Sequence, residues 1–198
     1  MAVGESDSKS VDPRIRRTRL LLQESLARLL TKKKFEEISV QDVTDEATVN
    51  RATFYAHYTD KNALLQCMTA SRFLSLLEER GVKFSGPCPS ALRNLFLGIC
   101  YMRLQSSECP TDPHMDAAMV AVIRKMVLDG LEKHPWDHSV SRQMVATTVS
   151  WALLGAAKEW FSTETRCLPE QIVDGVVELI FRLMPPANAN QPSTQAQH

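Results

Sequence analysis

The sequence predicts an all-α chain in which a small N-terminal three-helix domain with a helix-turn-helix precedes a larger C-terminal helical domain. Three observations predict it. Apolar residues recur at three- and four-residue spacing through nearly every segment, with little of the strict alternation that marks strands. The segments are separated by Pro and Gly clusters: Ser85-Gly86-Pro87-Cys88-Pro89, Pro110-Thr111-Asp112-Pro113 and His134-Pro135-Trp136-Asp137. Two short amphipathic runs, Ile38 to Ala47 and Thr48 to Tyr58, also stand directly side by side.

The first element is expected over Pro13 to Lys34, where Asp12 and Pro13 supply an N-cap and first-turn pair and Leu20, Leu21, Leu26, Leu29 and Leu30 recur near helical spacing. Its basic residues cluster at the ends, with Arg14, Arg16, Arg17 and Arg19 at one and Arg28, Lys32, Lys33 and Lys34 at the other. The second helix starts at Ser39, an N-cap with Asp42 three residues on, and places Val40, Val43 and Ala47 on one face. The third, Thr48 to Tyr58, crowds Asn50, Arg51, Thr53, Tyr55 and His57 into about two turns, with Val49, Phe54 and Tyr58 as apolar anchors.

Asp60 is expected to cap a long helix that runs to Glu79 or Arg80 and stops at Gly81. Further helices are expected near Ser90 to Ser106, Ala117 to Lys133, Ser139 to Phe161 and Pro169 to Met184. Residues 1–10 and the Pro-, Asn-, Gln- and Ala-rich stretch 185–198 are expected to be disordered, leaving domains over 11–59 and 60–184. No repeat of fixed period is present, which excludes a solenoid.

A short helix that mixes polar and aromatic side chains so densely suits the major groove of DNA, with the preceding helix bracing it against the backbone. The alternative is an ordinary helical hairpin. The flanking basic clusters favour the first reading, since they can neutralise phosphates beside the groove. Lys61 adds a cation at a helix N-terminus, where free amides can also bind phosphate.

The stretch Phe35-Glu36-Glu37-Ile38-Ser39-Val40, then Val49-Asn50-Arg51-Ala52-Thr53-Phe54-Tyr55-Ala56-His57-Tyr58 and Asp60-Lys61, resembles the DNA-binding domain of TetR-type (tetracycline-repressor-like) bacterial transcriptional regulators, over roughly Arg14 to Leu65. The resemblance implies a C-terminal domain that dimerises and often holds a small ligand. By position it implies that Thr53, Tyr55, His57 and Lys61 touch phosphates and that Gln41, Asn50, Arg51 and Ala52 face base edges. With Ser39 these form the candidate DNA-binding set, and Arg51 is the foremost base reader because a guanidinium grips guanine through two hydrogen bonds. Thr48 departs from the family pattern. Glycine normally stands there because the turn needs a left-handed backbone, so a β-branched residue either strains the turn or reshapes it.

The two C-terminal helices are the expected dimer interface, with Leu154, Gly155, Lys158, Trp160, Val173, Val176, Val177 and Ile180 as its candidates. Small residues there permit close approach and large ones anchor it, whereas the alternative is plain intramolecular core. A two-fold dimer of this kind fits a palindromic operator in double-stranded DNA. Phe73, Leu77, Phe96, Cys100, Met119, Ile123, Met126 and Trp151 are the candidate lining of a pocket for a small apolar or aromatic ligand, a lining also readable as ordinary core.

Other classes find little support. The formal net charge is zero, so no global basic field suggests indiscriminate coating of nucleic acid. No phosphate loop, nucleophile elbow or zinc helix is present, and His134 and His138 are separated by Pro135, so no enzymatic activity, cofactor or metal is expected. The five cysteines include no Cys-x-x-Cys pair; with no leader and no run able to span a bilayer they indicate a reduced cytoplasmic setting and no membrane partner. Cys88 and Cys109 are the one pair weighed for redox sensing. The functional expectation is a ligand-released repressor; the alternative is a DNA-binding regulator without a small-molecule ligand, acting through protein partners.

Overall fold

The computed structural model describes residues 12–81, 88–105, 113–136 and 138–182, and among these it is helical with no strand. The helices are α1 (Pro13–Leu30), α2 (Val40–Ala47), α3 (Arg51–His57), α4 (Lys61–Glu79), α5 (Pro89–Gln105), α6 (Pro113–Leu131), α7 (Arg142–Ser162) and α8 (Pro169–Arg182), with a single 3-10 turn at Phe35–Glu37. The chain divides into two compact units, Met1–Arg72 with Ser106–Met119, and Phe73–Gln105 with Val120–His198.

In the first unit α1 begins as expected, with the Asp12 carboxylate accepting from the Arg14 amide at 2.8 Å and Pro13 in the first turn. It ends at Leu30 instead of Lys34. Leaving the helix there lets Phe35 and Ile38 join Leu22, Leu26, Val43, Phe54, Leu64 and Leu65 in one buried cluster, which a continued helix would not allow. Leu29, Ala47, Tyr58, Met68 and Ala118 belong to the same core.

The second unit is built on α5, which packs against both α7 and α8, while α7 and α8 also pack against each other. Its buried residues include Phe73, Leu92, Phe96, Ile99, Val127, Val149, Leu153 and Val173. α6 starts at Pro113, four residues before the expected Ala117, because a proline lacking an amide proton suits the first turn of a helix. α7 starts three residues later than expected, since the Ser141 hydroxyl caps it by accepting from the Met144 amide. Gly81 ends α4 in a left-handed conformation, at φ 66°. Much of the expected connectors at 85–89 and 110–113, the two terminal segments, and Cys109 lie outside the described residues.

Candidate nucleic-acid interface

α2 is only eight residues long and α3 seven, too short to be stable alone, so polar side chains fix their ends. At α2 the Ser39 hydroxyl accepts from the Asp42 amide at 3.1 Å, and the Asp42 carboxylate accepts from the Ser39 amide at 2.7 Å. The Ser39 hydroxyl, which also donates to that carboxylate at 2.6 Å, the Lys33 ammonium at 2.9 Å and the Ser39 amide hold the Asp42 carboxyl well below the usual carboxylate range. Glu46, near the other end of α2, receives Arg28 of α1 at 2.7 Å and lies 3.9 Å from Lys32.

α2 ends on Thr48, which keeps the left-handed backbone at φ 55° and ψ 44°. The turn therefore has the geometry glycine would provide, carried by a β-branched residue. The Thr48 amide donates to the Asp45 and Thr44 carbonyls, and the Val49 amide donates to Thr44 at 3.0 Å. Asn50 then caps α3, its side-chain oxygen accepting from the Thr53 amide at 2.7 Å and the Thr53 hydroxyl at 2.9 Å. Asn50 is thus the cap of α3 and not part of it, and α3 is shorter than Thr48 to Tyr58.

Phe54 and Tyr58 turn inward and are buried, while Arg51, Ala52, Tyr55 and Ala56 share the exposed face of α3. The Arg51 guanidinium donates to the Tyr55 hydroxyl at 3.3 Å, one turn along. Gln41 is exposed on α2 with its amide bonded to Asp45 at 2.6 Å, and His57 is half-buried. Of the expected set, Gln41, Arg51, Ala52 and Tyr55 are therefore free-facing, Ser39, Asn50 and Thr53 are engaged in caps, and Lys61 is engaged elsewhere. Its ammonium donates to the carbonyls of Phe35, Glu36 and Ile38 at 3.0, 3.1 and 2.8 Å.

Sequence reasoning missed a polar cluster behind α3. Gln23 on α1 donates to the Tyr58 hydroxyl at 3.1 Å and to Cys67 Sγ on α4 at 3.3 Å, and Tyr58 lies 3.7 Å from the same sulfur. Burial pushes the Tyr58 phenol up to about 12, so it stays a neutral donor. The only sequence signal was Tyr58 itself, readable as an apolar anchor.

Six of the eight candidate ligand-lining residues are buried. Phe73, Leu77, Phe96, Cys100 and Ile123 are buried in the second unit and Met126 is half-buried there, but Met119 belongs to the first unit and Trp151 is 54% exposed on α7. Burial pushes the Cys100 thiol up to about 12. Packing around Gly98 is close: a Cβ there would lie 2.8 Å from Leu77 Cδ2 and 3.0 Å from Phe73 Cε2. A cavity of about 490 Å³ lies at the start of α5 and the end of α8, lined by Pro89, Ser90, Arg93, Asp174, Val177 and Phe181 among others.

The candidate dimer residues divide between buried and exposed positions. Leu154, Trp160, Val173, Val177 and Ile180 are buried within the unit itself. Val176 and Lys158 are half-buried, and Gly155 is exposed with open space around a notional Cβ. Gly155 lies in an exposed stripe of α7 that also holds Met144, Thr148, Trp151 and Glu159; α8 exposes Gly175 and Leu179, with Leu168 just before it. Among the described residues no cluster of three metal-binding side chains occurs, and no helix is long and apolar enough to cross a membrane.

A family model described as bacterial regulatory proteins of the tetR family matches residues 24–68, from the middle of α1 into α4. An uncharacterized HTH-type transcriptional regulator, YxbF of Bacillus subtilis (strain 168), is 41% identical over 67 residues, 33% of this chain. That match spans only 18% of the relative's own length. Lin0861 from Listeria innocua is 19% identical with a TM-score of 0.64, over 90% of this chain and 97% of its own. A TetR transcriptional regulator from Streptococcus agalactiae 2603V is 20% identical with a TM-score of 0.54, over 85% and 96%. At such identities the two solved structures show a shared fold.

Proposed function

We propose that the chain, whose residues 24–68 match the model of bacterial regulatory proteins of the tetR family, is a cytoplasmic repressor that binds a palindromic operator as a homodimer and is released by a small apolar or aromatic ligand. The family is one of DNA-binding transcriptional regulators, not of enzymes. The observation that carries the reading is the exposed face of α3, where Arg51, Ala52, Tyr55 and Ala56 stand clear of a buried Phe54. Helix and turn are held by caps, so this face is presented as a rigid body to the groove.

The exposed stripes of α7 and α8 support a two-fold pairing. Trp151 and Leu179 are large apolar side chains left open, and Gly155 and Gly175 permit close helix approach. Recognition helices related by that axis meet half-sites roughly 34 to 36 Å apart, or a multiple of that spacing.

The test is to select duplexes from a random pool with the full chain, adding DNA upstream of its own gene, and then to screen compounds for release. Arg51→Ala should weaken the selected site by about 1 to 3 kcal/mol and relax preference at one base pair, leaving random DNA nearly unaffected. Equal losses on selected and random duplexes would remove Arg51 as a base reader. A second reading, a regulator that acts through protein partners without a small ligand, is favoured by the close packing of Phe73 and Leu77 on Gly98, where the ligand was expected. It predicts that no compound changes DNA affinity.

A further inference from the structure

We infer that Lys61 is a positioning residue for the DNA-binding helices, holding the Phe35–Glu37 turn against the start of α4, and not a contact that neutralises a DNA phosphate. The inference rests on the DNA-binding reading. Its basis is the disposition of one ammonium group. Lys61 is the first residue of α4, next to Asp60, whose carboxylate accepts from the Ala63 amide at 2.8 Å. A cation is unfavourable at that end of a helix because the amides there already carry positive partial charge. The side chain instead reaches back to the turn, and its three protons match three carbonyls at 3.0, 3.1 and 2.8 Å.

The same nitrogen stands 4.7 Å from the centroid of the Phe35 ring, a cation–π contact on a fully buried aromatic. The donors are thus consumed by three backbone carbonyls of the tight turn and the residue after it. The Phe35 carbonyl accepts from the Ile38 amide at 3.1 Å as well as from Lys61. Ile38, whose carbonyl makes the shortest of the three bonds, immediately precedes Ser39, the cap of α2. A shift of the turn therefore displaces the start of α2, and α2 packs on α3. Binding a phosphate would require the ammonium to give up or share bonds already made.

Geometry separates the two roles. Three carbonyls converging on one tetrahedral nitrogen suit an ammonium, whereas a planar guanidinium spreads its donors over a wider fork and cannot reproduce them. A phosphate, by contrast, accepts arginine at least as well as lysine. The experiment compares Lys61→Arg and Lys61→Gln in the full chain, on duplexes selected by the wild-type protein, at several salt concentrations and well below the melting temperature of each variant. Backbone amide exchange across residues 36–43 is measured on the same samples.

Both variants are expected to lose affinity by about tenfold or more, with the dependence on salt unchanged and exchange across 36–43 accelerated. An Arg variant that binds like wild type, a Gln variant whose salt slope falls by about 0.9, or exchange left unaltered in both would overturn the inference. Should the wild-type protein select no duplex, the DNA-binding reading fails, and the exchange measurement alone decides whether Lys61 holds the turn.

Discussion

The pair α2 and α3 and the pair α7 and α8 are both made of consecutive helices, yet they are secured by different means. The first pair has eight and seven residues, and its ends are tied by Ser39 with Asp42, Asn50 with Thr53, and Arg28 with Glu46. The second pair has twenty-one and fourteen residues and is held by burial of Val149, Leu153, Val173, Val177 and Ile180. Short helices cannot bury enough apolar surface to fix their own direction, so directional bonds must do it. Long helices bury one face and retain another. In α7 and α8 that other face still carries Trp151 and Leu179 as exposed large apolar side chains, which the first pair matches only with Tyr55.

The largest effect should come from breaking the second pair at its open face. Gly155→Glu places a charge in the exposed stripe of α7, where nothing lies within 4 Å of a new Cβ. The monomer should fold as well as before, since glutamate also has the better helix propensity. Pairing should be lost, because a desolvated unpaired carboxylate opposes any close approach of two such stripes. Sedimentation should then give a monomer at micromolar concentration, with full-site DNA affinity reduced to that of a half-site. A variant that remains dimeric with undiminished affinity would place the interface on another face.

A smaller effect is expected from the first pair, where the Ser39 and Lys33 contacts depress the Asp42 carboxyl. The folded form therefore favours the carboxylate more than the unfolded chain does. The stabilisation is fully present above the unfolded value of about 4 and is lost as pH falls through the depressed folded value. Asp42→Asn removes the carboxylate, so its melting temperature should lie below wild type at neutral pH and the two should converge in acid. Parallel melting curves from pH 7 down to pH 2 would show that Asp42 is not coupled to folding.

The caps were legible in the sequence because they depend on local spacing: Ser39 with Asp42, Asp12 with Pro13, and Asp60 before α4 each need only a few residues to be recognised. The buried side of α8 was legible as an apolar face, but which large residues remain outside was not. α7 is apolar almost all round, from Val145 to Phe161, so its sequence does not set which side faces inward; Trp160, a candidate for the dimer interface, is buried, and Trp151, a candidate for the pocket lining, is exposed. The three carbonyls around Lys61 were illegible for a different reason. They belong to residues more than twenty positions away, and a carbonyl has no sequence signature.

The smallest effect concerns the link between α2 and α3, and it tests how far that pair is constrained. Thr48 at φ 55° and Gly81 at φ 66° both follow helices in left-handed conformation, but only the glycine is unstrained there. Keeping a side-chain-bearing residue in that region costs roughly 1 to 2 kcal/mol, while glycine costs about 0.4 to 1 kcal/mol through the freedom it adds to the unfolded chain. Thr48→Gly should therefore change stability by between zero and about +1.6 kcal/mol, read as a small rise in melting temperature. Gly81→Ala is the mirror experiment and should lower it by a similar amount, since open space around position 81 does not relieve a backbone that disfavours a Cβ. If Thr48→Gly is clearly destabilising while Gly81→Ala behaves as expected, then the Thr48 side chain contributes more to the turn than its conformation costs. The polar fixing of α2 and α3 would then extend through the turn itself, beyond the caps on either side of it.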